Sequence, residues 1–74
     1  MSARKRYDVV YEGGEWRLKH LGSTLHRGSL KQTVIDFGVR EARRNTPSQL
    51  LIHRMNGTIE DERTYGDDPF PPRG

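Results

Sequence analysis

The chain has 74 residues, with 13 Lys or Arg against 10 Asp or Glu, a formal net charge of +3 and 31% hydrophobic residues. A chain of this size buries only roughly 60% of the surface that it exposes when unfolded, enough for one helix on one sheet. We therefore expect no deep active site and no enzymatic activity. The absence of cysteine excludes a disulfide framework, a zinc–thiolate site and an iron–sulfur cluster.

The amino-terminal residues carry Arg4, Lys5 and Arg6 but are followed by no long apolar run. Because a membrane-spanning helix needs about 18 consecutive apolar residues, we expect neither a signal peptide nor a membrane contact. The expected location is the cytoplasm.

Charge is distributed unevenly along the chain. Residues 1–58 contain eleven basic and five acidic side chains, a balance of +6, whereas residues 59–74 contain two basic and five acidic side chains, a balance of −3. A basic body attracts polyanions, and an acidic terminal segment can occupy the same surface.

The first half of the chain predicts strands. Residues 1–6 are predicted to form a basic arm, and residues 7–12 are rich in aromatic and β-branched side chains, which is typical of a strand. Gly13-Gly14 suits a two-residue turn with positive φ at both positions. In the return strand, Trp16, Leu18 and His20 alternate with Arg17 and Lys19, so the two sets are expected on opposite faces. A short third strand is possible at residues 24–26.

The next segment predicts a helix from Ser29 to Arg44. Ser29 and Gln32 have the spacing of a capping box, and the apolar residues that follow share one arc of a helical projection. Gly38 lies near the centre of that arc, so we expect the helix to approach the sheet most closely there. The opposite side carries Arg40, Arg43 and Arg44.

The last segment predicts a second hairpin. Leu50-Leu51-Ile52 is an unbroken apolar run, as in a central strand, and Asn56-Gly57 is a strong hairpin signal. A charged edge strand follows, and residues 64–74 form an acidic, proline-rich tail. The predicted class is α+β: a single domain over residues 7–63, with an antiparallel sheet of four to five strands and one helix packed on one face.

The order of these motifs resembles a small bacterial family of domains of unknown function. Its members have a G-x-W strand, a charged helix, a strand similar to Leu-Val-Ile-His and a terminus of the form Y-G-N/D-D-P-F-P-P-R/K-G. The corresponding positions here are Gly14–Trp16, the helix from Ser29, Leu50–His53 and Tyr65–Gly74, although Phe37-Gly38-Val39 stands where the family helix is usually alanine-rich. The resemblance supports the fold, and it implies no activity, because the family has no established one.

No site of metal or cofactor chemistry is predicted. His20, His26 and His53 do not form a ligand pair at a recognised spacing, and Gly13-Gly14 and Gly28-Ser29 match no phosphate-loop pattern. Turn roles account for both glycine motifs. We expect no metal, no cofactor and no catalytic residue.

The basic residues predict a nucleic-acid-binding module of low sequence specificity, with DNA or RNA as the partner. An arm, the outer face of a strand and the outer face of a helix would together contact phosphates. The predicted phosphate-binding residues are Arg4, Lys5, Arg6, Arg17, Lys19, Arg40, Arg43 and Arg44.

The alternative is a protein-interaction or oligomerisation module without a nucleic-acid role. A proline-rich segment is an extended ligand that is largely ordered before it binds, and exposed strand edges could join a second copy. The residues of this alternative site are Tyr65, Pro69, Phe70, Pro71 and Pro72. The same aromatic side chains could instead cover the domain's own core.

Overall fold

The structure, a computed structural model, describes residues 4–66. Five strands and one helix follow one another in the order β1 (Lys5–Glu12), β2 (Glu15–His20), β3 (Ser23–Gly28), α1 (Lys31–Arg44), β4 (Ser48–His53) and β5 (Ile59–Tyr65). One helix packed on a five-stranded sheet confirms the predicted α+β class. Residues 67–74, which hold most of the predicted tail, lie outside the described residues.

The strands form one mixed sheet in the order β3-β2-β1-β4-β5. Neighbouring strands are antiparallel except for β1 and β4, which are parallel, so the prediction of an entirely antiparallel sheet is corrected. The physical reason is the helix, which carries the chain back across the sheet and lets β4 start at the same end as β1. β4 lies between two strands, as its apolar run predicts.

Strand β1 begins earlier than predicted. It starts at Lys5, whose backbone N–H donates to the carbonyl oxygen of Pro47 at 3.0 Å. Lys5 and Arg6 are therefore strand residues, which corrects their assignment to an arm. The turn after β1 is confirmed, because Gly13 and Gly14 have φ values of 61° and 82°.

The core lies between one face of the helix and one face of the sheet. Val34, Gly38 and Ala42 of α1 are buried against alternate residues of the three central strands. A Cβ built on Gly38 would lie 2.9 Å from Cδ1 of Leu50 and 3.1 Å from Cδ1 of Leu18. The predicted close approach of helix and sheet at Gly38 is confirmed.

The predicted capping box does not form. The helix begins at Lys31, its N-cap is Leu30 in an extended conformation, and no side chain caps the first turn. Because β3 continues to Gly28, the next two residues are needed for the turn into the helix, and Ser29 precedes the N-cap. The side-chain amide of Gln32 donates instead to Asp36 at 2.9 Å.

Candidate nucleic-acid interface

The structure divides the eight predicted phosphate-binding residues among separate places. Arg6, Arg17 and Lys19 point away from the helix, on what we call the open face: the sheet face formed by alternate residues such as Asp8, Glu12 and His53. The three cations of the helix lie on the other side of the sheet, and Arg4 and Lys5 lie where β1 begins. The eight cations therefore do not share one surface. The helical members are Arg40, Arg43 and Arg44.

Carboxylates on the open face neutralise its cations. Glu12 accepts hydrogen bonds from Lys19 at 3.0 Å and from Arg17 at 3.5 Å, and Glu15 accepts from Arg17 at 3.0 Å. The hydrogen bond from Lys19 is the main reason that the pKa of Glu12 lies below its ordinary value. The open face is consequently a mixed-charge surface.

Asp8 forms an ion pair with Arg6, the third predicted phosphate-binding residue on the open face. Its two carboxylate oxygens each lie 3.0 Å from the guanidinium of Arg6, and Oδ2 lies 2.9 Å from Nε2 of His53. Burial acts to raise the pKa of Asp8, but the hydrogen bonds from Arg6 and His53 outweigh it and hold the pKa below its ordinary value. Arg6 is thus committed to an intramolecular ion pair.

The end of the helix and the start of β1 lie at the same end of the domain. The hydroxyl of Ser48 donates to the carbonyl oxygen of Ala42 in the last turn of α1. Ser48 also pairs with Lys5 across the parallel ladder. These contacts place four cations of the predicted set at one end, which we call the basic end: Arg4, Lys5, Arg43 and Arg44.

Within residues 4–66, two of the four cations at the basic end have no ion pair. These two are Lys5 and Arg43, and both are exposed. Arg44 lies 3.5 Å from Glu41, and Nη1 of Arg4 donates to the side-chain oxygen of Gln49 at 3.4 Å. Arg43 and Arg44 also lie in the last helical turn, and positive charge is favourable there because the helix ends in unpaired carbonyl groups.

Arg40 lies one turn earlier and has a different neighbour. Its guanidinium carbon lies 5.4 Å from the ring centroid of Phe37, whose ring stacks on His26 of β3 at 3.7 Å. Arg40 is therefore placed towards the β3 edge of the sheet, apart from the basic end.

The three histidines are spread over the domain. His20 stacks on Tyr7 with ring centroids 4.5 Å apart, His26 stacks on Phe37, and His53 bonds to Asp8. Among residues 4–66, no three His, Asp or Glu side chains gather where they could hold a metal ion. Beside the start of the helix lies a shallow depression of about 250 Å³, and the described residues that line it, among them His26, Arg27, Ser29 and Thr33, include no carboxylate.

Of the alternative site, only Tyr65 belongs to the described part of the chain. It pairs with Ser48 at the end of β5 and packs, half-buried, against the core. The other members of that site, Pro69–Pro72 with Phe70 among them, lie outside residues 4–66. The protein-interaction alternative therefore stays a prediction.

The ion pairs of the open face were missed by the sequence interpretation, although a signal exists. Glu15, Arg17 and Lys19 alternate along one strand, so that all three must share a face. The Gly13-Gly14 turn fixes the register and brings Glu12 to the same surface. No comparable pattern in the sequence predicts the basic end, because this surface depends on a parallel pairing between Lys5 and Ser48, which are 43 positions apart.

Comparison with known proteins identifies the family of this chain but finds no matching protein of known function. No curated protein and no solved structure matches the chain, and in the described part no helix is long and apolar enough to cross a membrane. One family model matches residues 7–65, which include the G-x-W strand, the helix and the strand ending at His53; the tail motif after Tyr65 lies beyond the match. The chain belongs to the family of uncharacterised proteins conserved in bacteria that is designated DUF2188.

Proposed function

We propose that this domain is a non-enzymatic, cytoplasmic nucleic-acid-binding module that contacts phosphates through the basic end. The observation that supports this most is that Lys5 and Arg43 lie at the same end of the fold, each exposed and without an ion pair in residues 4–66. Cations without carboxylate partners are available to neutralise phosphates and to release their counterions.

The cations of the open face are expected to contribute much less. Arg6, Arg17 and Lys19 already interact with carboxylates at 3.0–3.5 Å, and a phosphate would have to replace those partners. Binding through Lys5 and Arg43, the two cations of the basic end without an ion pair in residues 4–66, corresponds to a slope of about −2 in log K against log salt, and binding through all four cations of the basic end to about −3 to −4. Participation of all eight predicted cations would give about −7.

Little sequence discrimination is expected. Phosphate contacts position a protein on nucleic acid, whereas sequence is read from base edges or from bases stacked on aromatic rings. The aromatic residues near the basic end have other contacts: Tyr7 is buried under His20, and Tyr65 packs against the core. The contact is thus one of charge with a phosphate backbone.

The test is a fluorescence-anisotropy titration of random-sequence duplex and single-stranded DNA between about 50 and 200 mM salt. The variant Lys5→Gln/Arg43→Gln should weaken binding and reduce the salt slope by about two. Arg27→Gln/Arg54→Gln is the matched control, because it removes the same charge from the open face and from the turn after β4. This control should leave the slope unchanged.

Two results would overturn the proposal. One is the absence of binding at about 50 mM salt for the wild type and also for a chain ending at Gly66. The other is equal weakening by the two double variants, which would indicate attraction by net charge and no defined surface.

A further inference from the structure

The turn between β4 and β5 contains the one Asn-Gly pair of the chain, Asn56-Gly57. We propose that Asn56 is a modification site at which the chain deamidates itself, because the folded turn stabilises the transition state that leads to a succinimide. The product carries aspartate or isoaspartate in place of Asn56. This turn follows β4, whereas the basic end adjoins the start of that strand, so the inference does not depend on the proposed function.

The reaction needs only the two residues of the pair and water. The backbone nitrogen of Gly57 loses its proton to hydroxide or to a buffer base and attacks Cγ of Asn56, which places a negative charge on Oδ1. The bond from Cγ to Nδ2 then breaks, Nδ2 takes a proton from water and leaves as ammonia, and a cyclic succinimide remains. Water opens this ring at the side-chain carbonyl to give aspartate, or at the backbone carbonyl to give isoaspartate. Glycine favours the attack because it has no Cβ beside the reacting nitrogen.

Two hydrogen-bond donors face the oxygen that would carry the negative charge. The backbone N–H of Thr58 donates to Oδ1 of Asn56 at 3.0 Å, and the hydroxyl of Thr58 donates to the same atom at 2.8 Å. Since a backbone N–H can only donate, the side-chain atom that it contacts is the oxygen, and Nδ2 is the group free to leave. Paired donors on a developing oxyanion are the means by which acyl-transfer enzymes stabilise a tetrahedral intermediate.

Arg54 strengthens the hydroxyl donor. Its Nη1 donates to Oγ1 of Thr58 and to the carbonyl oxygen of Ile59, both at 3.2 Å. A guanidinium has no acceptor atom, so the hydroxyl of Thr58 must accept from Arg54 and direct its own proton to Asn56. A positive charge at the start of this chain of hydrogen bonds polarises the hydroxyl. The chain therefore interacts more strongly with an oxyanion on Oδ1 than with the neutral amide, which is the condition for catalysis.

The backbone of the turn supplies both order and access. The N–H of Arg54 donates to the carbonyl oxygen of Thr58 at 2.8 Å, and the N–H of Gly57 donates to the carbonyl oxygen of Arg54 at 2.9 Å. The second of these bonds opposes the reaction, because it must open before the proton of Gly57 can leave. Asn56 and Gly57 are exposed, so water and base reach both of them.

Asn45 provides an internal comparison, because it is the only other asparagine of the chain. It precedes Thr46, whose β-branched side chain crowds the backbone nitrogen that would attack. Its Nδ2 donates to the carbonyl oxygen of Glu41 at 2.8 Å, which holds the leaving group in place. We expect Asn45 to remain intact while Asn56 reacts.

The test follows the loss of Asn56 in the folded full chain under mildly alkaline conditions. Trypsin cleaves after Arg54 and Arg63 and releases residues 55–63, whose asparaginyl, aspartyl and isoaspartyl forms are separated by chromatography and mass spectrometry. Thr58→Val keeps the shape of the side chain but removes the hydroxyl, and it should slow the reaction by roughly threefold to tenfold, the effect of one hydrogen bond. Thr58→Ser is the matched control, because it retains the hydroxyl and should react at close to the wild-type rate.

The same measurement in urea separates the effect of the fold from that of the sequence. Unfolded wild type and unfolded Thr58→Val should react at equal rates, because the donors to Oδ1 are assembled only in the folded turn. A rate difference that persists in urea would overturn the inference. So would a folded Thr58→Val protein that loses Asn56 as fast as the wild type or faster, or a folded wild type that keeps Asn56 intact over the time in which the unfolded chain reacts.

Discussion

Gly38→Ala is the substitution that tests the helix–sheet contact most directly. The new Cβ would lie 2.9 and 3.4 Å from the two terminal methyl groups of Leu50 and 3.1 Å from a methyl group of Leu18. Both leucines have no exposed surface, so their methyl groups cannot turn towards solvent. Helix and sheet must separate slightly, or the leucines must leave their preferred rotamers.

Two effects of opposite sign determine how much Gly38→Ala changes the free energy of unfolding. Adding a methyl group to a filled core costs about 1–3 kcal/mol, whereas replacing glycine by alanine within a helix gains about 1 kcal/mol. The net expectation is a loss of about 0–2 kcal/mol in the free energy of unfolding. In a domain of this size each kcal/mol corresponds to about 4–8 °C in Tm.

Urea unfolding followed by the fluorescence of Trp16 measures this loss, because Trp16 is the one tryptophan of the chain and is buried. Leu50→Val supplies the control: it shortens the side chain that is nearest to the new methyl group. In the double variant the two losses should be less than additive by about 0.5–3 kcal/mol, since the shorter side chain relieves the clash. A Gly38→Ala protein about 1 kcal/mol more stable than the wild type, the gain expected from helix propensity alone, or strict additivity, would refute the reasoning.

Three further substitutions test local features. Asp8→Asn should flatten the acid dependence of stability: because the pKa of Asp8 is lowered on folding, its contribution is complete above the unfolded value of about 3.9 and is lost as the pH falls through the folded pKa. Urea midpoints should therefore converge for the two proteins at low pH, and parallel curves would contradict the argument. Leu21 has a φ of 51° and is 89% exposed, so Leu21→Gly should stabilise the turn by about 1 kcal/mol; an unchanged Tm would show that the turn bears no strain. Leu30→Asp supplies the missing N-cap oxygen and a favourable charge and should add about 1 kcal/mol, measured by the urea midpoint, with Leu30→Ala expected to give no such gain.

The sequence predicted the features that depend on local periodicity. The arc of apolar residues around Gly38 identified the surface of closest approach, and the apolar run at Leu50 identified a central strand. Gly13-Gly14 specified its turn because positive φ at two consecutive positions favours glycine. Each of these signals lies within about one helical turn or one hairpin of the residues that it describes.

Features that depend on distant pairing were not predicted. The parallel ladder between β1 and β4 joins segments that are separated by a helix. An apolar run alone does not indicate whether the neighbouring strand is parallel or antiparallel to it. The basic end follows from that ladder, so Lys5 and Arg43 could not be grouped in advance. The Ser29 capping box failed because the length of β3, set by its pairing with β2, decides where the helix can begin.

The ladder positions of Ser48 have a consequence for engineering the chain. Lys5 and Tyr65 pair with this residue from its two sides, so the first and last strands begin and end about 10 Å apart, two strand spacings. A linker of only about three to four residues would span that gap. The fold is therefore suited to circular permutation, with new ends opened at the Asn56-Gly57 turn, where the backbone is exposed and lies at the opposite end of β5 from the new linker.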